Sequence, residues 1–239
     1  MKSISFIAML VLSAVTAQSQ STVNRQSLYW IRYHNHLYFS PAFYWNNEVD
    51  NRRFFHPDVQ NQLIIHSHVH LKKKKWDFGT GLTLSWIYSQ VPEQGYDQAV
   101  NEVRAVVEAS HELAFKKFSF QNRVRVDHRF FQEDLNKSVF EESFYVLRFR
   151  YRAQLTIPLK SNDLNETVMG LRVADEIMLN HTENTFDQNR IYATFEFRIS
   201  KSMKIETGYI YIYQQRLGLD EFFKRHVARL TLFHKMSLH

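Results

Sequence analysis

The sequence contains no cysteine, which excludes disulfides, thiolate metal centres and a lipid anchor on an N-terminal cysteine. Glycine (6) and proline (4) are few for 239 residues, a shortage that runs against a chain rich in tight turns. Beyond the N-terminus no apolar run approaches the ~20 residues of a spanning helix, and mean hydropathy is −0.40. A helical membrane protein is thereby excluded. A membrane barrel is not, because its lipid-facing and lumen-facing residues alternate and the average cancels. There is no Gly-x-Ser-x-Gly elbow, phosphate-binding glycine loop or His-Glu-x-x-His motif, so neither a catalytic residue nor a cofactor is expected.

What is abundant is aromatic and basic. Phe (20), Tyr (12) and Trp (4) make up 15% of the chain, and barrels place such residues in girdles at the two membrane interfaces. The formal charge of +6 suits anionic surfaces. Arginines recur at alternate positions along extended segments rather than as one patch, so nucleic acid is not an expected partner. Outer-membrane lipid and lipopolysaccharide are the expected partners, and no protein partner is indicated.

The first residues read as an export signal. Lys2 supplies the positive start, Ile4 to Val15 an apolar run, and Val15-Thr16-Ala17 a small-residue cleavage site. The expected division is a leader over 1–17, cleaved near Ala17, and a single domain over 18–239.

Beyond the leader, period-two alternation dominates. Tyr145, Leu147, Phe149, Tyr151, Ala153, Leu155 and Ile157 share one face, while Val146, Arg148, Arg150, Arg152, Gln154 and Thr156 share the other. A strand produces this pattern; a helix would scatter the arginines around its circumference. Eleven such segments can be traced, from 28–39 to 223–234. Short connections (Ser40-Pro41, Lys72–Lys75, Lys116-Lys117, Lys201-Ser202) alternate with mostly longer ones such as 90–99 and 132–142, the pattern of periplasmic turns and extracellular loops. The fold expected is an all-β, antiparallel, up-and-down transmembrane barrel of about 10–12 strands, with 12 favoured because bacterial single-chain barrels are even-stranded.

The chain also resembles a known family, the outer-membrane-like family of domain of unknown function 2490. The resemblance rests on Tyr29-Trp30-Ile31-Arg32-Tyr33, Arg52-Arg53-Phe54, Arg123-Val124-Arg125, Arg129-Phe130 and Arg148-Phe149-Arg150-Tyr151-Arg152. It continues through Asp175-Glu176 and Phe186-Asp187-Gln188-Asn189-Arg190 to the strand of Tyr209. It implies a barrel exported to the outer membrane and carries no assigned catalytic or binding residue.

Several residue sets invite a chemical reading. The polar faces carry Arg104, Arg123, Arg125, Arg129, Arg148, Arg150, Arg152, Arg172, Arg190 and Arg198 alongside Glu102, Glu108, Glu112, Asp127, Glu176, Glu196 and Glu206. Lining a lumen, these form either a selectivity path or a salt-bridged plug, the latter being the simpler expectation since an unpaired charge in a narrow interior is costly. His66, His68 and His70 alternate on one strand, with His34 and His36 on the first. Imidazole suits Zn, Cu or Ni, but strand neighbours two apart are separated by about 7 Å, so these three are weak metal candidates without a ligand from another strand. Asp175 falls between Val173 and Ile177 on an apolar face, either near an interface or turned inward by a bulge. Ser85, Ser119 and His128 lie on strands with nothing marking them as catalytic partners. The basic turns read as solvated hairpin tips that can touch anionic headgroups.

Three functions fit this sequence. The first is an outer-membrane barrel, either structural or a narrow channel. The second is a soluble periplasmic barrel that binds an apolar ligand within, as lipocalins do, with polarity inverted. The third is an outer-membrane lipid-modifying enzyme.

Overall fold

The computed structural model describes residues 22–92, 98–162, 166–182, 184–216 and 219–238. The expected leader and its cleavage site at Ala17 lie outside the described residues. Eleven strands follow in order: β1 (Thr22–Tyr38), β2 (Phe43–Phe54), β3 (Gln60–Lys73), β4 (Trp76–Ile87), β5 (Val100–Ala114), β6 (Ser119–Gln132), β7 (Ser143–Ser161), β8 (Thr167–Asn180), β9 (Phe186–Arg198), β10 (Met203–Gln215) and β11 (Glu221–Ser237). There is no helix among the described residues.

Consecutive strands pair antiparallel, and β1 closes the sheet by pairing with β11 in parallel. The strand count is therefore 11, not the favoured 12. In an odd up-and-down set the first and last strands run the same way. Closure is then available only through a parallel pair, which here runs from Thr22↔Glu221 to Tyr38↔Ser237. β1 also starts earlier than the alternation predicts. Thr22 to Ser27 pair with β11 alone, because the β2 ladder begins at Leu28↔Phe54. These six residues are polar but for Val23, and their extended form is set by the partner rather than by their own pattern.

The register advances steadily around the wall. One circuit displaces the starting point by about 14 residues, a shear that tilts the strands roughly 45° from the barrel axis. At that tilt each residue climbs about 2.4 Å, so a strand of 12 residues such as β4 rises about 28 Å. Connections of two to five residues lie at one end (39–42, 74–75, 115–118, 162–166, 199–202), and the two longest, 88–99 and 133–142, lie at the other. Lys74 adopts φ 56° in the two-residue turn between β3 and β4, the left-handed conformation such turns require.

The two faces of the wall differ sharply. Outside are Ile31, Trp45, Val69, Leu82, Val107, Val124, Phe149, Ile177, Ile191 and Phe195, all exposed. Phe39, Phe43, Trp76, Phe78, Phe115 and Phe118 cluster outside near the short turns. Inside, most buried positions are polar or charged, Asp127 and Glu206 at 0% exposure among them. The interior also holds one apolar cluster of Leu28, Trp30, Phe54, Ala174, Tyr192, Ile210, Ile212 and Val227, contributed by β1, β2 and β8–β11. An apolar-ligand barrel of the lipocalin kind needs the opposite arrangement.

Candidate functional site

The lumen is the principal concave feature of the molecule, with a cavity of about 930 Å³ between its side chains. Its walls are built by the inward members of the alternation, which places Arg123, Arg125, Asp127 and Arg129 in one column on β6 and Arg148, Arg150 and Arg152 in the next on β7.

Four carboxylates organise the charges. Asp127 accepts Arg125 Nε at 2.6 Å and Arg148 Nη2 at 2.6 Å, with Arg150 at 3.5 Å. Glu102 takes Arg104 through two hydrogen bonds, at 2.7 and 2.6 Å, and Arg129 Nε at 2.5 Å. Glu176 receives Arg123 at 2.6 Å, Arg150 at 2.9 Å and the Tyr192 hydroxyl at 2.9 Å. Glu206 joins Arg172 and Arg229, each at 2.5 Å. Several of these bonds leap over a strand: Arg123 on β6 meets Glu176 on β8, and Arg172 on β8 meets Glu206 on β10. Each donor is charged and each acceptor ionised, the stronger class of hydrogen bond.

The remaining charged positions have different surroundings. Glu196 holds Arg172 and Lys204, at 2.8 and 3.4 Å. Arg198 sits at the short-turn rim against Glu166 at 2.8 Å. Glu112 lies on the inward register near the same rim but is exposed, with no ion pair among the described residues. Arg152 and Arg190 have no carboxylate oxygen within 4 Å among the described residues; Arg190 instead donates to Gln188 at 2.8 Å and lies over the Trp30 ring at 5.4 Å.

Sequence reasoning missed a comparable set: Arg32, Glu48, Asp50, Arg52, Asp187, Arg225 and Arg229. Arg52 donates twice to Asp50 and packs 4.0 Å over Trp30. Arg148 reaches Asp187 at 3.1 Å. The signal for the β2 members was present, since Asn46, Glu48, Asp50 and Arg52 alternate with Trp45, Asn47, Val49 and Asn51. The interior apolar residues Ile210 and Ile212 left no such signal, because from Tyr209 to Tyr213 both faces of the strand are apolar or aromatic.

At the long-loop end the connection after β4 bends into the mouth. Arg225 of β11 donates to Gln90, Gln26 and Gln214 at 2.9, 2.7 and 2.7 Å, and Gln26 donates to the Gln90 carbonyl at 2.7 Å. The segment leaving β4 is thus tied to strands on the other side of the barrel. On the same rim Asp58 accepts Arg53 at 2.6 Å and Tyr29 at 2.8 Å. These hydrogen bonds hold its carboxyl below the ordinary aspartate value.

The histidines divide between two clusters. His66 donates or accepts at Thr83 Oγ1 (2.6 Å) and lies 3.6 Å from Glu48. His70 bonds Asp77 through Nδ1 at 2.8 Å, with Nε2 3.4 Å from Glu108. His68, His70 and Glu108 bring ligand atoms within 4.8 Å of one another. Strand spacing keeps His66 out of that group. His34 and His36 stack edge to face at 4.5 Å on β1.

Asp175 faces outward, exposed, and accepts Asn189 Nδ2 at 2.6 Å. The ladders on both sides of it run without a shift at that residue, so the bulge considered for it is absent. Ser85 and Ser119 point into the lumen, whereas His128 points outward to Tyr145 at 2.8 Å. Seated on opposite faces, they form no serine–histidine pair.

No curated protein matches the chain. A family described as "Protein of unknown function (DUF2490)" matches residues 28–222, from the β1/β2 ladder to the start of β11. The chain belongs to that family.

Proposed function

We propose that this protein is an outer-membrane β-barrel in which ion pairs keep the lumen narrow, serving as a structural element of the membrane or as a restricted channel. The observation that carries the reading is the inverted polarity of the wall. A soluble protein rarely exposes apolar patches beyond a few hundred Å², yet Val69, Leu82, Val107, Val124, Phe149 and Ile191 are all exposed on one continuous sheet. The ~28 Å rise of the shortest strands matches the ~25 Å apolar band of such barrels.

The short-turn end then faces the periplasm and the long loops face outward. Lys72–Lys75, Lys116, Lys117 and Lys201 gather at the short-turn end, where they meet anionic headgroups. Export by the leader over 1–17 completes this placement. No catalytic role is assigned.

The test is fractionation of the native host followed by carbonate extraction and gel electrophoresis with and without heating. We expect a carbonate-resistant membrane protein whose mobility changes on heating. A carbonate-soluble, heat-indifferent protein would overturn the reading.

A further inference from the structure

We propose that His68, His70 and Glu108 form a binding site for a late first-row divalent metal ion in the lumen wall. The inference stands apart from the membrane reading, because the residues and their geometry are the same wherever the barrel resides.

The starting point is a placement that strand spacing alone forbids. His70 is on β3 and Glu108 on β5, with β4 between them. Their intervening ladder partner is Gly79, paired to His70 on one side and to Glu108 on the other. Gly81 stands likewise between His68 and Val106. These are two of only six glycines in the chain. A Cβ at Gly79 would lie 2.5 Å from His70 Cε1 and 2.8 Å from His70 Nε2. The missing side chain is the space the imidazole occupies as it leans across β4 toward Glu108.

The second observation is a buried ring nitrogen that lacks a hydrogen-bond partner. His70 Nδ1 lies 2.8 Å from Asp77 Oδ1. A carboxylate oxygen accepts, so Nδ1 is the donor and Nε2 is the nitrogen left open to a ligand. Glu108 Oε1 lies 3.4 Å from that nitrogen. His70 Nε2 has no hydrogen-bond partner, and His70 and Glu108 are 7% and 8% exposed. A ring nitrogen and a carboxylate oxygen that face each other in a buried setting are placed to share a cation. Asp77–His70 is also the carboxylate–histidine pairing that orients metal-bound imidazoles.

His68 completes the set. Thr83 Oγ1 lies 3.2 Å from its Nε2 and steadies the ring. The donor atoms lie within 4.8 Å of one another, and small rotations bring them to the ~3.4 Å separation of ligands about 2.0–2.1 Å from one ion. Two imidazoles and one carboxylate suit Zn, Cu or Ni rather than Mg or Ca, with solvent filling the remaining positions. Arg123 and Arg125 approach Glu108 Oε2 at 3.7 and 3.8 Å and oppose a cation. They engage the oxygen turned away from His70, and the carboxylates of Glu108 and Asp77 together balance a divalent charge. Glu48 beside His66 is different, since Arg32 already occupies it at 3.3 Å.

The experiment uses the untagged full chain, stripped with chelator and kept in detergent. Zinc is titrated by calorimetry, and Co²⁺ by visible absorption. We expect one equivalent to bind and Co²⁺ bands of a low-coordinate site. His68→Gln, His70→Gln and Glu108→Gln should each weaken binding at least tenfold, while His66→Gln changes it less than threefold. Asp77→Asn should weaken it about tenfold. Gly79→Ala keeps every ligand yet should lose binding, because its methyl displaces the His70 ring. Far-UV circular dichroism checks that each variant is folded, and the unsubstituted protein's Co²⁺ spectrum is informative even if one variant is not. Absence of heat and of Co²⁺ bands overturns the proposal, as does undiminished binding in folded His70→Gln or Glu108→Gln protein.

Discussion

At the scale of single residues, the interior is governed by carboxylates that each serve more than one arginine. Asp127 is the clearest case, fully buried with three guanidinium groups around it. Replacing a buried pair by well-packed apolar residues is often neutral, but removing one member strands the others. Asp127→Ala leaves Arg125 and Arg150 facing each other without their shared anion. We expect it to destabilise the barrel by about 3–5 kcal/mol, read as a lower denaturant midpoint for loss of β-structure in detergent. Arg198→Ala, at the exposed rim against Glu166, should cost no more than about 1 kcal/mol in the same measurement.

At the scale of elements, the seam between β1 and β11 is the feature that sets this wall apart. Every other pairing joins strands consecutive in sequence, whereas the seam joins residues 199 apart. It can be tested directly, since the chain has no cysteine of its own. Tyr29 and Ala228 are register partners and lie on the outer face. A Tyr29→Cys/Ala228→Cys pair should be joined by a short bifunctional thiol reagent, shifting mobility on a non-reducing gel. Tyr29→Cys with Phe222→Cys, far along the same strand, should not join. Equal cross-linking of both pairs would argue against the parallel register.

This seam also marks how far the sequence could be read. The strands and the facing of 143–158 were legible because apolar and charged residues alternate there without interruption. The first six residues of β1 were not, because they are extended only by virtue of β11. Parity was misjudged because an even count is a habit of the class and not a physical requirement; a parallel pair closes an odd sheet equally well. In the lumen, the alternation identifies which residues point inward but not which meet. Arg123–Glu176 and His70–Glu108 both skip a strand, and the only trace of the latter in the sequence was a pair of glycines two residues apart.

For the whole molecule the balance of charge is the property with consequences. Arg152, Arg190 and Arg225 face the cavity with no carboxylate oxygen within 4 Å among the described residues. Glutamines and the Trp30 ring accept two of them in its place. A lumen with surplus guanidinium groups favours the passage of anions over that of cations. Protein reconstituted in planar bilayers should therefore show little stable conductance. Whatever current passes should reverse at a potential favouring chloride over potassium in a salt gradient. A large, cation-selective conductance would contradict both the narrow lumen and its sign.

The parallel seam has a further result, for connectivity. Because β1 and β11 run the same way, the described ends of the chain, Thr22 and Leu238, emerge at opposite rims. In an even-stranded wall the two ends share a rim, so a few residues can join them and the chain can be reopened at any loop. Here the ends are separated by the length of a strand of 17 residues, about 55 Å at ~3.3 Å per residue. A bridge needs at least about 16 extended residues, laid through the charged lumen or over the apolar exterior. Joining these two described ends therefore takes a long bridge running the height of the wall, where an even-stranded wall needs only a turn.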